Sequence, residues 1–159
     1  MSMLTKLRYI GVSIEDLIEI YVLFIRSITE YCSVAFHSSL TVEQANDIER
    51  IQKTSLKVIL GELYIDFQAA LEMCGLQTLY KRREARCLEF ALKCCKHSKN
   101  ARMFPLNSRR KGGVLRTEEK FVVNFARTEA YRKSRIPYCQ RLLNQYFNLE
   151  HQIHLYKCE

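Results

Sequence analysis

The chain has 159 residues, 48% of them apolar, with five Gly and two Pro. That length allows one domain, or one domain plus an extension, and so few breakers disfavour a turn-rich β-sandwich. The net charge of +8 is unevenly held: residues 1–80 carry −4 and residues 81–159 carry +12, an asymmetry that points to a polyanionic partner.

Ser13-Ile-Glu-Asp16 is a variant of the capping box and predicts a helix running to about Cys32. Glu15 and Asp16 suit the positive end of its dipole. Ile14, Leu17, Ile18, Tyr21, Phe24, Ile25, Ile28 and Tyr31 cover over half its circumference, so it is expected to be the central core helix. Leu17–Ile28 is the longest apolar stretch, and Glu19 and Arg26 interrupt it, which excludes a membrane span. Thr41-Val-Glu-Gln44 is a full capping box. The helix it opens should end before Gly61, with Ala45, Ile48, Ser55 and Ile59 inward and Arg50, Lys53 and Lys57 on the opposite face. Asp66 caps a short helix through Cys74, stopped by Gly75. Thr78 opens a helix to about His97 that turns Leu79, Cys87, Phe90, Ala91 and Cys94 inward and carries Arg82, Arg86 and Lys93 on another side.

After His97 the periodicity weakens. Residues 107–113 read as an exposed loop, 121–125 as a short apolar segment, extended or a helix turn, and 127–133 as a polar helix. Pro137 is a breaker, and residues 138–147 form a last short helix. The expected fold is therefore all-α: an irregular helical bundle of about five helices over residues 1–97, with a loosely structured basic C-terminal extension over residues 98–159.

Seven cysteines, odd in number and without a C-x-x-C, argue against a disulfide framework and for reduced thiols packed in a core. The first residues lack the apolar stretch of a signal peptide. Location is therefore expected to be intracellular, nuclear or cytoplasmic, not secreted, with no membrane partner and no small-molecule substrate. Two-metal catalysis needs converging carboxylates, whereas Asp16, Asp47 and Asp66 are dispersed, and no phosphate-binding or nucleophile motif is present. His151, His154 and Cys158 with Cys139 have no zinc knuckle, and a frayed C-terminal helix is the plainer reading. Cys94 and Cys95 diverge by about 100° on a helix, so they suit a core better than a metal.

Each basic stripe taken singly is an ordinary solvated helix face. Two stripes, Arg50/Lys53/Lys57 and Arg82/Arg86/Lys93, together with Arg109, Arg110 and Lys111 and the cluster of Arg127, Arg132, Lys133 and Arg135, favour nucleic acid bound through phosphates. Tyr131, Tyr138 and Tyr146 are interleaved with Arg132, Arg135 and Arg141; they can stack on bases or sugars, or serve simply as packing residues.

Three blocks carry a family resemblance. Ile25-Arg26-Ser27, Glu30-Tyr31-Cys32 and His37-Ser38-Ser39-Leu40, followed by Ile48-Glu49-Arg50-Ile51-Gln52-Lys53 and Leu60-Gly61, resemble the region just after the palm of non-LTR (LINE-type) retrotransposon reverse transcriptases. Ala70-Leu71, Gly75-Leu76-Gln77-Thr78-Leu79, Arg82-Arg83-Glu84 and Leu88 resemble the block that follows it. Residues 119–121, 127–129 and 134–144, the last including Ile136-Pro137-Tyr138-Cys139, are similar to the tail of a subset of these enzymes. Phe36 stands where the family often has Trp. The resemblance implies a thumb and its C-terminal extension, which grip a template–primer RNA–DNA duplex. Arg50, Lys53 and Lys57 are then the best-placed residues for that grip. It also implies a fragment that is not an enzyme on its own: the fingers, the palm with its paired aspartates and Mg2+, and the endonuclease are missing, and this chain needs no cofactor. The alternative is a structural remnant, or a protein-interaction piece, that self-associates through the surface the palm would otherwise cover.

Overall fold

The computed structural model describes residues 3–107 and 120–156, with side chains through residue 148. The chain is all-α. Every regular element among the described residues is helical, and one antiparallel bridge joins Leu106 to Phe121.

The helix starts follow local chemistry. Helix α1 (Met3–Tyr9) precedes α2 (Ile14–Ile20), whose cap Ser13 accepts the Asp16 amide through Oγ at 3.1 Å and donates its hydroxyl to the Asp16 carboxylate at 2.8 Å. The helix continues through a π-helical segment, Tyr21–Arg26, and a short α3 (Ser27–Glu30). Cys32, at φ 51°, ends it. Helix α4 (Ser33–Phe36) and a 3-10 turn (His37–Ser39) lead to α5 (Val42–Leu60). The capping box of α5 is complete: Thr41 Oγ1 accepts the Gln44 amide at 3.2 Å, and Gln44 Oε1 accepts the Thr41 amide at 3.0 Å. Gly61 follows at φ 54°, and a Cβ there would run into the Arg8 guanidinium, which donates to the carbonyls of Val58 and Ile59 at the end of α5. Asp66 Oδ1 accepts the Ala69 amide at 2.8 Å and caps α6 (Phe67–Met73). Helix α7 (Leu79–Lys96) comes next, then the short α8 (Ser98–Ala101).

Two compact units result, and the division falls inside α7, between Glu84 and Ala85, whereas the weakening periodicity placed it near residue 97. The first unit runs to Ser33 and from Leu40 to Glu84. Its core joins Leu4, Leu17, Tyr21, Leu56, Ile59, Leu60, Ala70 and Leu71. Full burial of each large side chain there contributes about 1.5–3 kcal/mol.

The second unit takes Val34–Ser39 and the described residues from Ala85 on. Cys87, Ala91 and Cys94 of α7 pack with Phe104, Phe121, Cys139 and Leu143, which is why the last turns of α7 belong with the following segment. Helix α9 (Glu129–Arg132) is capped by Thr128. Helix α10 (Arg135–Tyr156) is longer than the short helix expected over 138–147. Pro137 does not break it, because that residue sits in the first turn, where no intrahelical amide donor is required.

The helix expected to be central is central on one side only. Leu17 and Tyr21 are buried, but Leu23, Phe24, Ile28 and Tyr31 are exposed. The π-helical segment adds a residue to the turn and rotates the downstream side chains away from a regular α-helical register.

Candidate nucleic-acid interface

Arg50, Lys53 and Lys57 are all exposed on α5. The opposite side of that helix supplies Gln52, Ser55, Leu56, Ile59 and Leu60 to the buried interior. Arg50 lies 3.2 Å from the Asp47 carboxylate one turn back, a fully solvated pair of small energetic weight. Lys57 Nζ stands 5.4 Å from the Tyr64 ring centroid. Among the described residues Lys53 forms no ion pair.

Arg82 is differently employed. It donates through Nε and Nη2 to the carboxylate of Glu30, the Nη2 bond measuring 3.1 Å, and the Glu30 side chain is 5% exposed. Those hydrogen bonds hold the Arg82 guanidinium even more firmly protonated than usual. Arg83 is fully buried, with Nη2 3.6 Å from Glu49 Oε1. The Glu49 carboxylate also accepts the amides of Leu79 and Tyr80, so a side chain of α5 caps the first turn of α7. These two carboxylates turn part of the α7 basic character inward, to hold the first unit together. Sequence reasoning gave Arg83 no role. Its position was readable, because it falls midway between Leu79 and Cys87 at four-residue steps on the inward face.

In the second unit Arg86 and Lys93 are exposed, and Lys93 Nζ reaches Glu89 at 2.7 Å. Arg132 and Lys133 converge on one exposed carboxylate, that of Glu129, at 2.6 and 3.5 Å. Hydrogen bonding from Arg132, before any other cause, holds Glu129 down to about 2. Arg135 stands 5.5 Å over the Phe90 ring, and Arg141 donates to the Arg132 carbonyl at 2.8 Å. Arg127 is exposed. Arg109, Arg110 and Lys111 lie outside the described residues.

The tyrosines separate into two kinds. Tyr138 packs edge-on against His37, with its hydroxyl 3.1 Å from Nε2, and Tyr146 packs edge-on against Phe147. Tyr131 is exposed.

The amides of α10 are a further feature that the sequence reading missed. Asn144 Oδ1 accepts the Phe121 amide at 2.8 Å, and Nδ2 donates to the Phe121 carbonyl at 3.0 Å. Gln140 Oε1 accepts the Asn124 amide at 2.9 Å, and Nε2 donates to the Met103 carbonyl at 2.9 Å. Two buried amides one turn apart thus hold the extended segment around residues 121–124 and the start of the segment after α8. They fix where Lys120 and Arg127 enter and leave.

Asp66 caps α6, Asp16 accepts the hydroxyl of the cap Ser13, and Asp47 pairs with Arg50. Among the described residues no three His, Cys, Asp or Glu side chains group to hold a metal. Cys139 is buried with its thiol 3.8 Å from the Cys87 carbonyl, and the side chains of His151, His154 and Cys158 lie outside the described residues. Cys94 is buried and Cys95 half-buried. Among the described residues no helix is long and apolar enough to cross a membrane. No protein family, curated protein or solved structure matches the chain.

Proposed function

We propose that the first unit is a thumb-like module that binds an RNA–DNA template–primer duplex without sequence preference, through the exposed cations of α5. The observation that carries the reading is the stripe itself. Arg50, Lys53 and Lys57 project from one face of a helix whose other face is core, which suits contact with a phosphate backbone. In this reading polymerisation belongs to fingers and palm outside this sequence, with Mg2+ bound there, and the chain is catalytically incomplete without them.

The test is binding of a fluorescent RNA–DNA hybrid across a salt titration. Phosphate contacts release counterions, so log K must fall with log salt. Lys53→Glu/Lys57→Glu should reduce the slope by about 1.5–2, in proportion to two lost phosphate contacts. A flat salt dependence, or a slope that this double variant leaves unchanged, would refute the assignment.

A further inference from the structure

A groove of about 380 Å³ runs along α5 on the side next to the basic stripe. Its floor includes Ile51, Thr54 and Val58, its far wall is Leu4 of α1 and Ile25 of the π-helical segment, and Arg50 stands at its rim. Nearly all of the lining is apolar. At 3.6 residues per turn, Lys57 and Lys53 follow Arg50 around α5 within about 60°. Arg50 therefore stands at the groove edge with Asp47, and Lys57 and Lys53 continue the basic stripe beside it. Ile51 at 44% and Met3 at 50% exposure leave its apolar surface open to solvent.

A complementary surface lies on the same unit. The outward side of the helix that begins at Ile14 starts acidic, with Glu15, Asp16 and Glu19 exposed. After the π-helical segment begins it becomes apolar, with Leu23 61%, Phe24 58% and Ile28 75% exposed. Single exposed apolar residues are ordinary, but three within six residues of one helix, beside an open apolar groove, form a contact surface. From Leu23 to Ile28 the rise is about 7–8 Å, and the groove floor from Ile51 to Val58 is about 10 Å long. Apolar side chains of one surface fit the groove of the other in length. The acids that precede the apolar residues match the basic stripe that runs beside the groove from Arg50.

We propose that the chain pairs with a second copy of itself, each copy placing Leu23, Phe24 and Ile28 in the α5 groove of the other and its α2 carboxylates against the other's Arg50, Lys53 and Lys57. Each copy carries both surfaces, so a twofold arrangement closes on itself with two identical contacts. The apolar insertion supplies the adhesion, and the charges set register and orientation. This pairing goes beyond duplex binding and stands without it.

The experiment is sedimentation velocity of the full chain, freed of nucleic acid, from about 1 to about 200 µM, where a reversible dimer must show a concentration-dependent shift. The wild type should move to the dimer value within that range. Phe24→Glu/Ile28→Glu removes the insert and Ile51→Glu/Thr54→Glu blocks the groove, and each should raise the dissociation constant tenfold or more, roughly the cost of an unmatched charge at an apolar contact. Circular dichroism establishes that each variant folds; if a Glu pair disturbs folding, the matching Ser pair replaces it. An equimolar mixture of the two variants should dimerise more tightly than either alone, because one insert and one groove survive intact. A wild type that stays monomeric throughout, a dimer indifferent to both variant pairs, or a mixture no tighter than its components would each overturn the proposal.

Discussion

Replacing Asn144 with Leu keeps the branched shape of the side chain, at a larger volume, and removes both of its hydrogen bonds to Phe121. The 2.8 and 3.0 Å bonds are buried at both ends, since Asn144 is 4% and Phe121 is 4% exposed. The substitution leaves an amide N–H and a carbonyl without partners inside the second core. An unsatisfied buried group costs about 1–3 kcal/mol, so the pair predicts a loss of about 2–6 kcal/mol. Leucine recovers part of that through apolar contact, and the lower half of the range is the better expectation. Against a total stability of about 5–15 kcal/mol for a domain, such a loss is easily measured. Gln140→Leu should act similarly through the Asn124 amide and the Met103 carbonyl, and because both side chains hold the same extended segment, the double variant should be less than additive. The assay is urea unfolding followed by far-UV circular dichroism, with amide hydrogen exchange at Phe121 and Asn124 as the local readout. Asn144→Leu should destabilise the second unit and accelerate exchange at Phe121. A change below about 0.5 kcal/mol with unaltered exchange at Phe121 would show that the two bonds do not hold the segment in solution.

Arg82 divides structural from phosphate-binding cations. Arg82→Gln should cost about 1–3 kcal/mol in urea unfolding, because it strips the largely buried Glu30 carboxylate of its bidentate donor. It should leave the salt slope of hybrid binding unchanged, whereas a slope that falls by about one would place Arg82 on phosphate. The stability of the chain should also fall as pH rises above 9. Burial pushes the Cys139 thiol up from 9.0 to about 12 and also raises the Tyr21 phenol well above 10.0. In that window the unfolded chain releases protons that the native state keeps, so unfolding gains as pH increases. The melting temperature should drop progressively from pH 8 to 10.5, less steeply in Cys139→Ala and, above pH 10, in Tyr21→Phe. A melting temperature independent of pH over that range would contradict the burial of both groups.

What the sequence disclosed was set by how far apart the interacting residues lie. Ser13, Thr41 and Asp66 each act on an amide three residues on, and their helices begin where those residues stand. The α5 stripe was legible for the same reason, because a helix face repeats within a few residues. Asn144 and Gln140 meet backbone 23, 16 and 37 residues away, and no local pattern marks such a pairing. The π-helical segment was hidden too. Tyr21-Val-Leu-Phe-Ile-Arg26 reads as an apolar helix at 100° per residue, and one residue of extra turn was enough to carry Phe24 and Ile28 from the expected core to the surface. Periodicity did not mark the division because α7 is continuous across it: its first turn is held by Glu49 of α5, whereas Cys87, Ala91 and Cys94 further along pack with Phe104 and Leu143.

By number the cations gather in the second half, and several of them there are already engaged. There Arg132 and Lys133 share the Glu129 carboxylate, Lys93 meets Glu89, Arg135 covers Phe90, and Lys120 lies 3.6 Å over the Phe147 ring. A phosphate recruiting any of them must displace an existing attraction, and the gain is the difference between the two. On α5 the competing attractions are weaker, a solvated Asp47 and a tyrosine face. The α5 cations, in the half with net charge −4, therefore give up little on binding an anion. Arg50 among them also stands at the rim of the apolar groove. Phosphates of a duplex and carboxylates of a second copy would draw on the same Arg50, Lys53 and Lys57, and linkage requires that each then weaken the other. Net charge along the chain could not have located that competition, because it depends on which cations fold against partners and which are left facing solvent.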